Sequence, residues 1–222
     1  MCGRFTLTLG VLQLQNTFGF EFSGELVPHY NIAPSQDILT ITGDGSSRFG
    51  SLMRWGLVPF WAKDPKIGYK MINARSEGIE TKASFKGPFR RNRCLILADG
   101  FYEWKKTEEG KQPYRFIMKD EKPFAFAGLW DTWGRGEDLL QSCTIITTRA
   151  NETASDVHDR MPVILPEEAY DDWLDPSLSD ITLLKSLLVP YSAEEMDKYE
   201  VSPKVNSPRN NTPELLVPVN SF

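Results

Sequence analysis

The sequence is short of cysteine, of histidine and of long apolar runs, and each shortage excludes a class of protein. Its 222 residues include three cysteines, an odd number too small for a disulfide framework. No apolar stretch approaches the length of about 18 residues that spans a membrane. No basic segment followed by an apolar stretch marks a signal peptide. We therefore expect a reduced, soluble, cytoplasmic protein with no membrane partner.

The same shortages argue against a metal or a cofactor. Only two histidines are present, His29 and His158, and the cysteines show no paired spacing, so no zinc motif forms. Repeats, low-complexity tracts and Gly/Ser linkers are also missing. We expect one domain over residues 1–222, with no metal and no cofactor.

Apolar residues are abundant, and their pattern predicts the fold class. They make up 41% of the chain and aromatic residues 12%, enough for a substantial core. Cys94 and Cys143 lie in β-like runs and are expected to be buried and inert. Residues 93–147 read as consecutive strands with hairpin turns, without alternating helices. The sequence predicts an α+β fold: a strongly bent mixed or antiparallel sheet, partly barrel-like, with short peripheral helices.

Several local patterns predict individual elements outside those strands. Helical spacing predicts a helix over 10–18, and a second is expected over 79–86. Two strands joined by a turn are expected over 37–59. The acidic stretch from 166 and the segment from 179 also read as helices. The proline-rich tail over 201–220 is expected to run extended along the surface.

Charge is unevenly distributed along an acidic chain. The net charge is −5, but residues 48–119 hold 16 Lys and Arg against 7 Asp and Glu. The remaining residues hold 9 basic against 23 acidic side chains. A basic central third can create a positive surface for nucleic acid. The alternative is that these charges are scattered and solvated.

Cys2 directly follows the initiator methionine, which is normally removed in front of so small a residue. The mature chain would then carry an amine and a thiol on adjacent carbons. Their ordinary pKa values, about 8 and about 8.5, keep a fraction of each reactive near neutral pH. The amine can serve as base for the thiol, or both can add to one aldehyde carbon and close a thiazolidine. Position alone leaves open that Cys2 is idle.

Two further residues are candidates for proton transfer. His158, in "VHDRMP", can titrate near neutral pH, although a structural loop histidine has the same sequence signature. Glu103, in "ADGFYEW", alternates with aromatic residues, whose surroundings would raise its pKa towards neutrality. A surface glutamate on an edge strand is the alternative.

The segments "INARSE" and "WGLVPFWAKD" offer groups that suit a nucleic acid. Asn73 can orient an amine or stabilise an oxyanion, and Arg75 can grip a phosphate with its fork of donors. Trp61 can stack on an unpaired base if it is exposed. Trp55 and His29 are expected to be packing residues.

Taken together, "MCGR", "YNIAPSQ", "RWGLVPFWAKD", "INARSE", "ADGFYEWK" and "VHDRMPVIL" closely resemble the SRAP family, the SOS-response-associated peptidase-like proteins. Those proteins shield abasic sites by crosslinking to DNA. The resemblance runs from Cys2 through about Leu165, and six motifs in one order make it specific. One departure is Ala62, where the family has an aromatic residue, which affects how a neighbouring base would be wedged apart.

The resemblance implies an abasic-site sensor that binds single-stranded DNA and forms a thiazolidine crosslink through Cys2 once Met1 is removed. It also implies a peptidase that removes Met1, unless a housekeeping aminopeptidase does so, and an abasic-site lyase activity. The implied catalytic residues are Cys2, Asn73, Glu103 and His158. The implied DNA contacts are Arg4, Pro34, Trp61, Arg75, Trp104 and Arg160. The alternatives are an N-terminal-nucleophile amidohydrolase and a non-covalent single-strand binder.

Overall fold

The computed structural model describes residues 2–219. Its strands are β1 (Phe5–Leu7), β2 (His29–Ile32), β3 (Asp37–Gly43), β4 (Arg48–Trp55), β5 (Asn73–Arg75), β6 (Arg93–Ala98), β7 (Gly100–Thr107), β8 (Gly110–Met118), β9 (Phe124–Trp133), β10 (Leu140–Arg149), β11 (Arg160–Pro162), β12 (Ile164–Leu165) and β13 (Met196–Glu200). Its α-helices are α1 (Val11–Phe18), α2 (Lys86–Arg91), α3 (Glu152–Ser155), α4 (Tyr170–Leu174) and α5 (Ile181–Ser186). None of the described helices is long and apolar enough to cross a membrane.

The strands form two sheets, one of which closes on itself. The open sheet has the order β13-β8-β7-β1-β2 and is antiparallel throughout. The other sheet has the strand order β4-β3-β6-β9-β10. Strand β10 also pairs with β4, in parallel, and this last pairing closes the ring. Strands β5, β11 and β12 extend this ring at its margins. The expected α+β class, with a bent and partly barrel-like sheet, is confirmed.

The core lies where the open sheet packs against the closed one. Phe5 of β1 meets Trp55 and Phe126 of the closed sheet at 5.2 and 5.8 Å between ring centroids. Every residue of β6 is buried, as expected for a strand with neighbours on both sides. Cys94 and Cys143 are buried free thiols, as the sequence predicts.

The expected helix over 10–18 is present as α1, whereas the expected helix over 79–86 is wrong. Residues 76–85 form turns, and α2 starts only at Lys86. Thr81 stabilises a turn there instead, because both its hydroxyl and its amide donate to the Gly78 carbonyl, at 2.9 and 3.1 Å. Within α2, Pro88 lies in the first turn, where its missing N–H costs nothing.

The tail over 201–219 is not extended, and the expectation of an extended tail is wrong. It forms 3₁₀ turns at Pro203–Asn206 and Pro213–Leu216. Val205 and Leu215 are buried with Tyr102 in a second, small core. Burial of these apolar side chains stabilises the turns. The tail therefore covers one face of the open sheet near the N-terminus.

Candidate active site

Strand pairing brings the two ends of the "MCGR" and "FYEW" motifs together. β1 runs antiparallel to β7, and the Tyr102 amide donates to the Arg4 carbonyl at 2.9 Å. Continuing this register towards the N-terminus places Gly3 opposite Glu103, and Cys2 is close enough to Glu103 for the carboxylate charge to act on its thiol. Met1, whose removal the sequence predicts, lies outside the described residues.

A buried network holds β1 in this register. The carboxylate of Asp99 accepts hydrogen bonds from the Thr6 hydroxyl at 2.5 Å, the Thr8 amide at 2.6 Å and the Thr8 hydroxyl at 2.7 Å. Arg115 lies 3.4 Å from the same carboxylate, and both side chains are more than nine-tenths buried. The position of the N-terminal strand is thus fixed by charge as well as by packing.

Asn73 contacts Cys2 directly. It begins β5, which runs parallel to β10, and its Nδ2 donates to the Cys2 carbonyl oxygen at 2.7 Å. Among the described residues, its buried Oδ1 has no hydrogen-bond partner. An amide oxygen in this position is suited to accept from an N–H close to Cys2.

Glu103 and Cys2 are both buried, and burial changes the protonation of each. Burial raises the pKa of the Glu103 carboxyl, while the nearby charge of His158 opposes that shift. Burial also raises the pKa of the Cys2 thiol, and the Glu103 charge adds to the effect. Glu103 is only 4% exposed, so the alternative of a surface glutamate is wrong. The pair therefore combines a neutral thiol with a carboxyl group suited to proton transfer.

His158 is oriented by the chain that follows it. Its Nδ1 accepts from the Arg160 amide at 3.0 Å and lies 3.0 Å from the carboxylate of Asp159. The Asp159 side chain is 88% exposed, so its attraction is screened by water. Because Nδ1 accepts the backbone hydrogen bond, the proton of the neutral ring belongs on Nε2. When the ring is protonated, Nδ1 can instead donate to Asp159, so Nε2 carries a proton in both states and the acid is the Nε2 proton of the imidazolium.

A cavity of about 400 Å³ brings several of these side chains together. Six residues line it: Glu103, Trp104, Lys106, Lys111, His158 and Asn206. Cys2 is fully buried and is not one of them. The cavity is large enough for a sugar with part of its flanking backbone, and its acid–base pair faces the interior.

Trp104 forms one wall of this cavity, and Arg4 packs against Trp104. The Trp104 Nε1 donates to Oδ1 of Asn206 at 2.6 Å. The Arg4 guanidinium lies over the Trp104 ring, 5.8 Å from its centroid. The Nη1 of Arg4 donates to Oδ1 of Asn31 at 2.8 Å and to the Val205 carbonyl at 2.7 Å. Arg4 is thus stacked and anchored, and its role as a phosphate ligand stays a prediction.

Arg75 and Arg160 differ in whether their guanidinium groups are available to bind a phosphate. Arg75 is exposed on β5, two residues after Asn73 and on the same face of the strand. Arg160 forms a bidentate ion pair with Glu77, at 2.6 and 2.9 Å, and donates to the Thr147 carbonyl at 2.6 Å. The free fork of Arg75 suits a phosphate. A DNA contact by Arg160 stays a prediction and would compete with Glu77.

The loop that carries Trp61 is firmly held, although its tip is exposed. Gly56 has φ +130°, and a Cβ there would lie 2.6 Å from the Gly68 carbonyl oxygen, so only glycine allows this approach. Trp61 is 47% exposed, while the carbonyl of Ala62 accepts from Trp133 at 2.7 Å. Pro34 lies in a half-exposed turn. Neither Pro34 nor Trp61 lines the cavity.

Sequence reasoning missed Asn31, Asn206 and the two lysines of the cavity. Asn31 carried a usable signal, since it is a polar residue within the apolar strand β2 and it is fully buried. Lys106 and Lys111 also carried one, since they flank a local hairpin turn, whereas Asn206 carried none because its position depends on contacts between distant parts of the chain. Among the described residues, no group of His, Cys, Asp or Glu is arranged to hold a metal ion.

Comparison with known proteins identifies the family. The model of SRAP, SOS response associated peptidase, matches residues 1–208. An abasic site processing protein of Bacillus subtilis, YoqW, is 52% identical over 221 residues, which cover 97% of this chain and 99% of YoqW. The abasic site processing protein HMCES of Gallus gallus is 35% identical, covering 99% of this chain and 78% of its own. The chain belongs to the SRAP family.

A solved structure shares the whole fold. A crystal structure of a Bacteroides thetaiotaomicron protein superposes with a TM-score of 0.89 at 28% sequence identity. The match covers 98% of this chain and 99% of that one. The two sheets and the covering tail therefore belong to a fold that extends beyond this sequence.

Proposed function

We propose that this protein processes abasic sites in DNA by capturing the opened sugar in a covalent crosslink through Cys2. The observation that carries the proposal is the contact of Asn73 with the Cys2 carbonyl, beside a buried Glu103. YoqW and HMCES, both named abasic site processing proteins, support the choice of substrate. The substrate form we propose is single-stranded DNA.

The chemistry starts when Met1 is removed and the Cys2 nitrogen becomes a free amine. The Asn73 Oδ1 then accepts a hydrogen bond from one N–H of this amine, and this directs the lone pair of the nitrogen outwards. In our scheme, protonated His158 gives its Nε2 proton to the ring oxygen of the abasic sugar, and the C1′ hydroxyl loses its proton to water as the C1′–oxygen ring bond breaks to leave the C1′ aldehyde. The acid and the nucleophile thus act on the same carbon.

The crosslink forms in two additions with the loss of one water. The amine attacks C1′, and the resulting carbinolamine expels water to give a Schiff base. The thiol sulfur then adds to the same carbon while its proton passes, by way of Glu103, to the nitrogen. A base is needed here because burial raises the pKa of the thiol, which stays protonated. The product is a five-membered thiazolidine.

Two accessory activities belong to the same proposal. The Schiff base makes the C2′ protons acidic, and removing one expels the 3′ phosphate by β-elimination, which is the lyase reaction. Closure of the thiazolidine competes with that reaction. Removal of Met1, by this chain or by an aminopeptidase, is the peptidase step on which the amine depends.

The test mixes the purified protein with an oligonucleotide that contains one abasic site. We expect an adduct that survives denaturation, and we expect Cys2→Ala to abolish it. A residue placed before Cys2 that resists removal should abolish it as well, because a blocked amine forms no Schiff base. An adduct formed at full yield by Cys2→Ala would overturn the proposal.

The alternatives give different results in the same assay. An amidohydrolase would release ammonia from glutamine without any DNA. A non-covalent binder would hold intact and abasic strands equally and leave no adduct after denaturation. Both outcomes would exclude the crosslinking function.

A further inference from the structure

Two lysines of the cavity stand directly opposite each other. Lys106 of β7 and Lys111 of β8 are register partners across the hairpin, and both side chains are exposed. Like charges in this arrangement repel and destabilise the strand pair. An anion bound by both lysines would offset this repulsion.

Lys105, next to Lys106 on the same hairpin, differs from these two lysines because an ion pair compensates its charge. Lys105 lies 3.3 Å from the carboxylate of Asp156. Among residues 2–219, neither Lys106 nor Lys111 forms an ion pair, and the turn residues Glu108 and Glu109 do not pair with them. The two positive charges are thus left for a ligand.

The lysines lie on the path that leads out of the proposed active site. Trp104 and Lys106 are two residues apart, so they share a face of β7, and Lys111 joins that face from β8. The ring of Trp104 is fixed by Asn206 at 2.6 Å and covered by the Arg4 guanidinium. The hairpin therefore presents an aromatic platform followed by paired cations, next to the cavity that holds Glu103.

We propose that Lys106 and Lys111 bind a backbone phosphate of the DNA strand next to the captured sugar. The inference rests on the proposed function, because the strand is placed by the sugar in the cavity. An ammonium is a compact charge that binds phosphate without demanding one geometry, which suits a backbone contact independent of base sequence. On the other sheet, the DNA strand would contact Arg75 of β5.

The test measures non-covalent binding as a function of salt. In the Cys2→Ala background, the double substitution Lys106→Gln with Lys111→Gln should weaken binding to an abasic single strand. The slope of log affinity against log salt should become shallower by about 0.7 for each phosphate that the variant no longer neutralises. Lys105→Gln is the matched control on the same hairpin, and it should leave the slope unchanged.

Two results would overturn the inference. One is an equal slope for the double variant and its parent, and the other is an equal decrease in slope for Lys105→Gln. Folding is checked by thermal unfolding, whose midpoint should stay the same or rise, since the repulsion is relieved. A second assay, on the chain with Cys2 intact, should show that the double variant needs more DNA to half-saturate crosslinking.

The two proposals fail separately. If the unsubstituted chain forms no adduct with abasic DNA, the crosslinking function is wrong. If it forms the adduct but the double variant gives the same saturation curve, only the lysine phosphate site is wrong.

Discussion

At the scale of single residues, the site depends on groups whose ordinary protonation is changed by burial. The Cys2 thiol and the Glu103 carboxyl both have raised pKa values, because neither is stable as an anion away from water. Such burial destabilises the folded chain when the carboxyl ionises. It also keeps a proton acceptor of suitable strength next to the nucleophile.

Glu103→Gln should therefore separate stability from activity. The folded state holds the Glu103 proton more tightly than the unfolded state does, so the free energy of unfolding falls as pH rises through the window above the ordinary carboxyl pKa. Removing the carboxyl relieves this penalty, and the thermal midpoint at neutral pH should rise by about 2–4 °C. Crosslinking should slow by about 100-fold.

The matched control for this substitution is Glu194→Gln, at an exposed position. It should change neither the midpoint nor the rate. A further check is pH itself, since the gain in stability of Glu103→Gln should vanish in acid below the ordinary carboxyl pKa. A variant that is less stable than the parent at neutral pH would show that the carboxyl is not destabilising.

His158→Ala and Arg75→Ala should have opposite effects. Ring opening needs an acid, whereas phosphate contacts do not, so His158→Ala should slow adduct formation by about 100-fold at saturating DNA while binding is kept. Arg75→Ala should weaken binding and reduce the salt slope by about 0.7. Single-turnover rates and equilibrium binding, measured side by side, check both. Equal losses in both assays for both variants would contradict these roles.

Among the candidate residues, the sequence predicted the chemical groups but not their contacts. The resemblance assigned roles to Asn73, Glu103 and His158, and the structure places Asn73 against Cys2 and the other two in one cavity. The sequence could not predict that the Arg160 guanidinium forms an ion pair with Glu77, because the two residues are 83 positions apart. Contacts of this kind depend on the fold rather than on local pattern.

At the scale of elements, the active site is built by the pairing of β1 with β7. The sequence predicts most of the strands, because alternation and turn residues are local signals. It does not predict which strands pair, and the Asp99 network that fixes this pairing joins residues more than 90 positions apart. The wrongly expected helix over 79–86 has a local cause, because Thr81 bonds to the Gly78 carbonyl and stabilises a turn there.

Asp99→Ala should destabilise the fold and disturb the site together. It removes the carboxylate that accepts from Thr6 and Thr8 and leaves the buried Arg115 without its ion-pair partner. We expect a loss of about 3–5 kcal/mol in the free energy of unfolding, measured by urea denaturation. Crosslinking should fall as β1 loses its register.

The comparison for that loss is an exposed ion pair. Asp120→Ala breaks the contact with Lys122, whose side chain is 75% exposed, and should leave stability unchanged within error. A loss at Asp99 no greater than the loss at Asp120 would mean that the buried network does not hold β1.

At the scale of the whole molecule, an acidic protein contains a locally basic segment. The sequence predicted the excess of positive charge over 48–119, but not how much of it is available. The Arg93 guanidinium is buried and donates to the carbonyls of Trp173 and Phe89, and Arg115 is buried with Asp99. Those cations stabilise the core. The DNA-binding face that we propose uses only some of the exposed cations, namely Lys106 and Lys111 at the cavity and Arg75 on β5.

Binding by such a face should be independent of base sequence and sensitive to salt. We expect Cys2→Ala to bind abasic and intact single strands with similar affinity, both weakened as salt rises. Chemical selectivity enters only with the aldehyde, so a strand whose abasic site has been reduced to the alcohol should bind the unsubstituted chain without forming an adduct. Filter binding and denaturing gels measure the two properties. An adduct with intact DNA would contradict the scheme.

The proposed chemistry depends throughout on a processed N-terminus that traps the sugar through neighbouring nitrogen and sulfur atoms. The intact mass of the purified chain, alone and after addition of abasic DNA, reports on processing and capture together. We expect a chain without Met1 that gains the mass of one oligonucleotide less one water. A chain that retains Met1 and still forms the adduct, or a processed chain whose mass does not change, would contradict this chemistry.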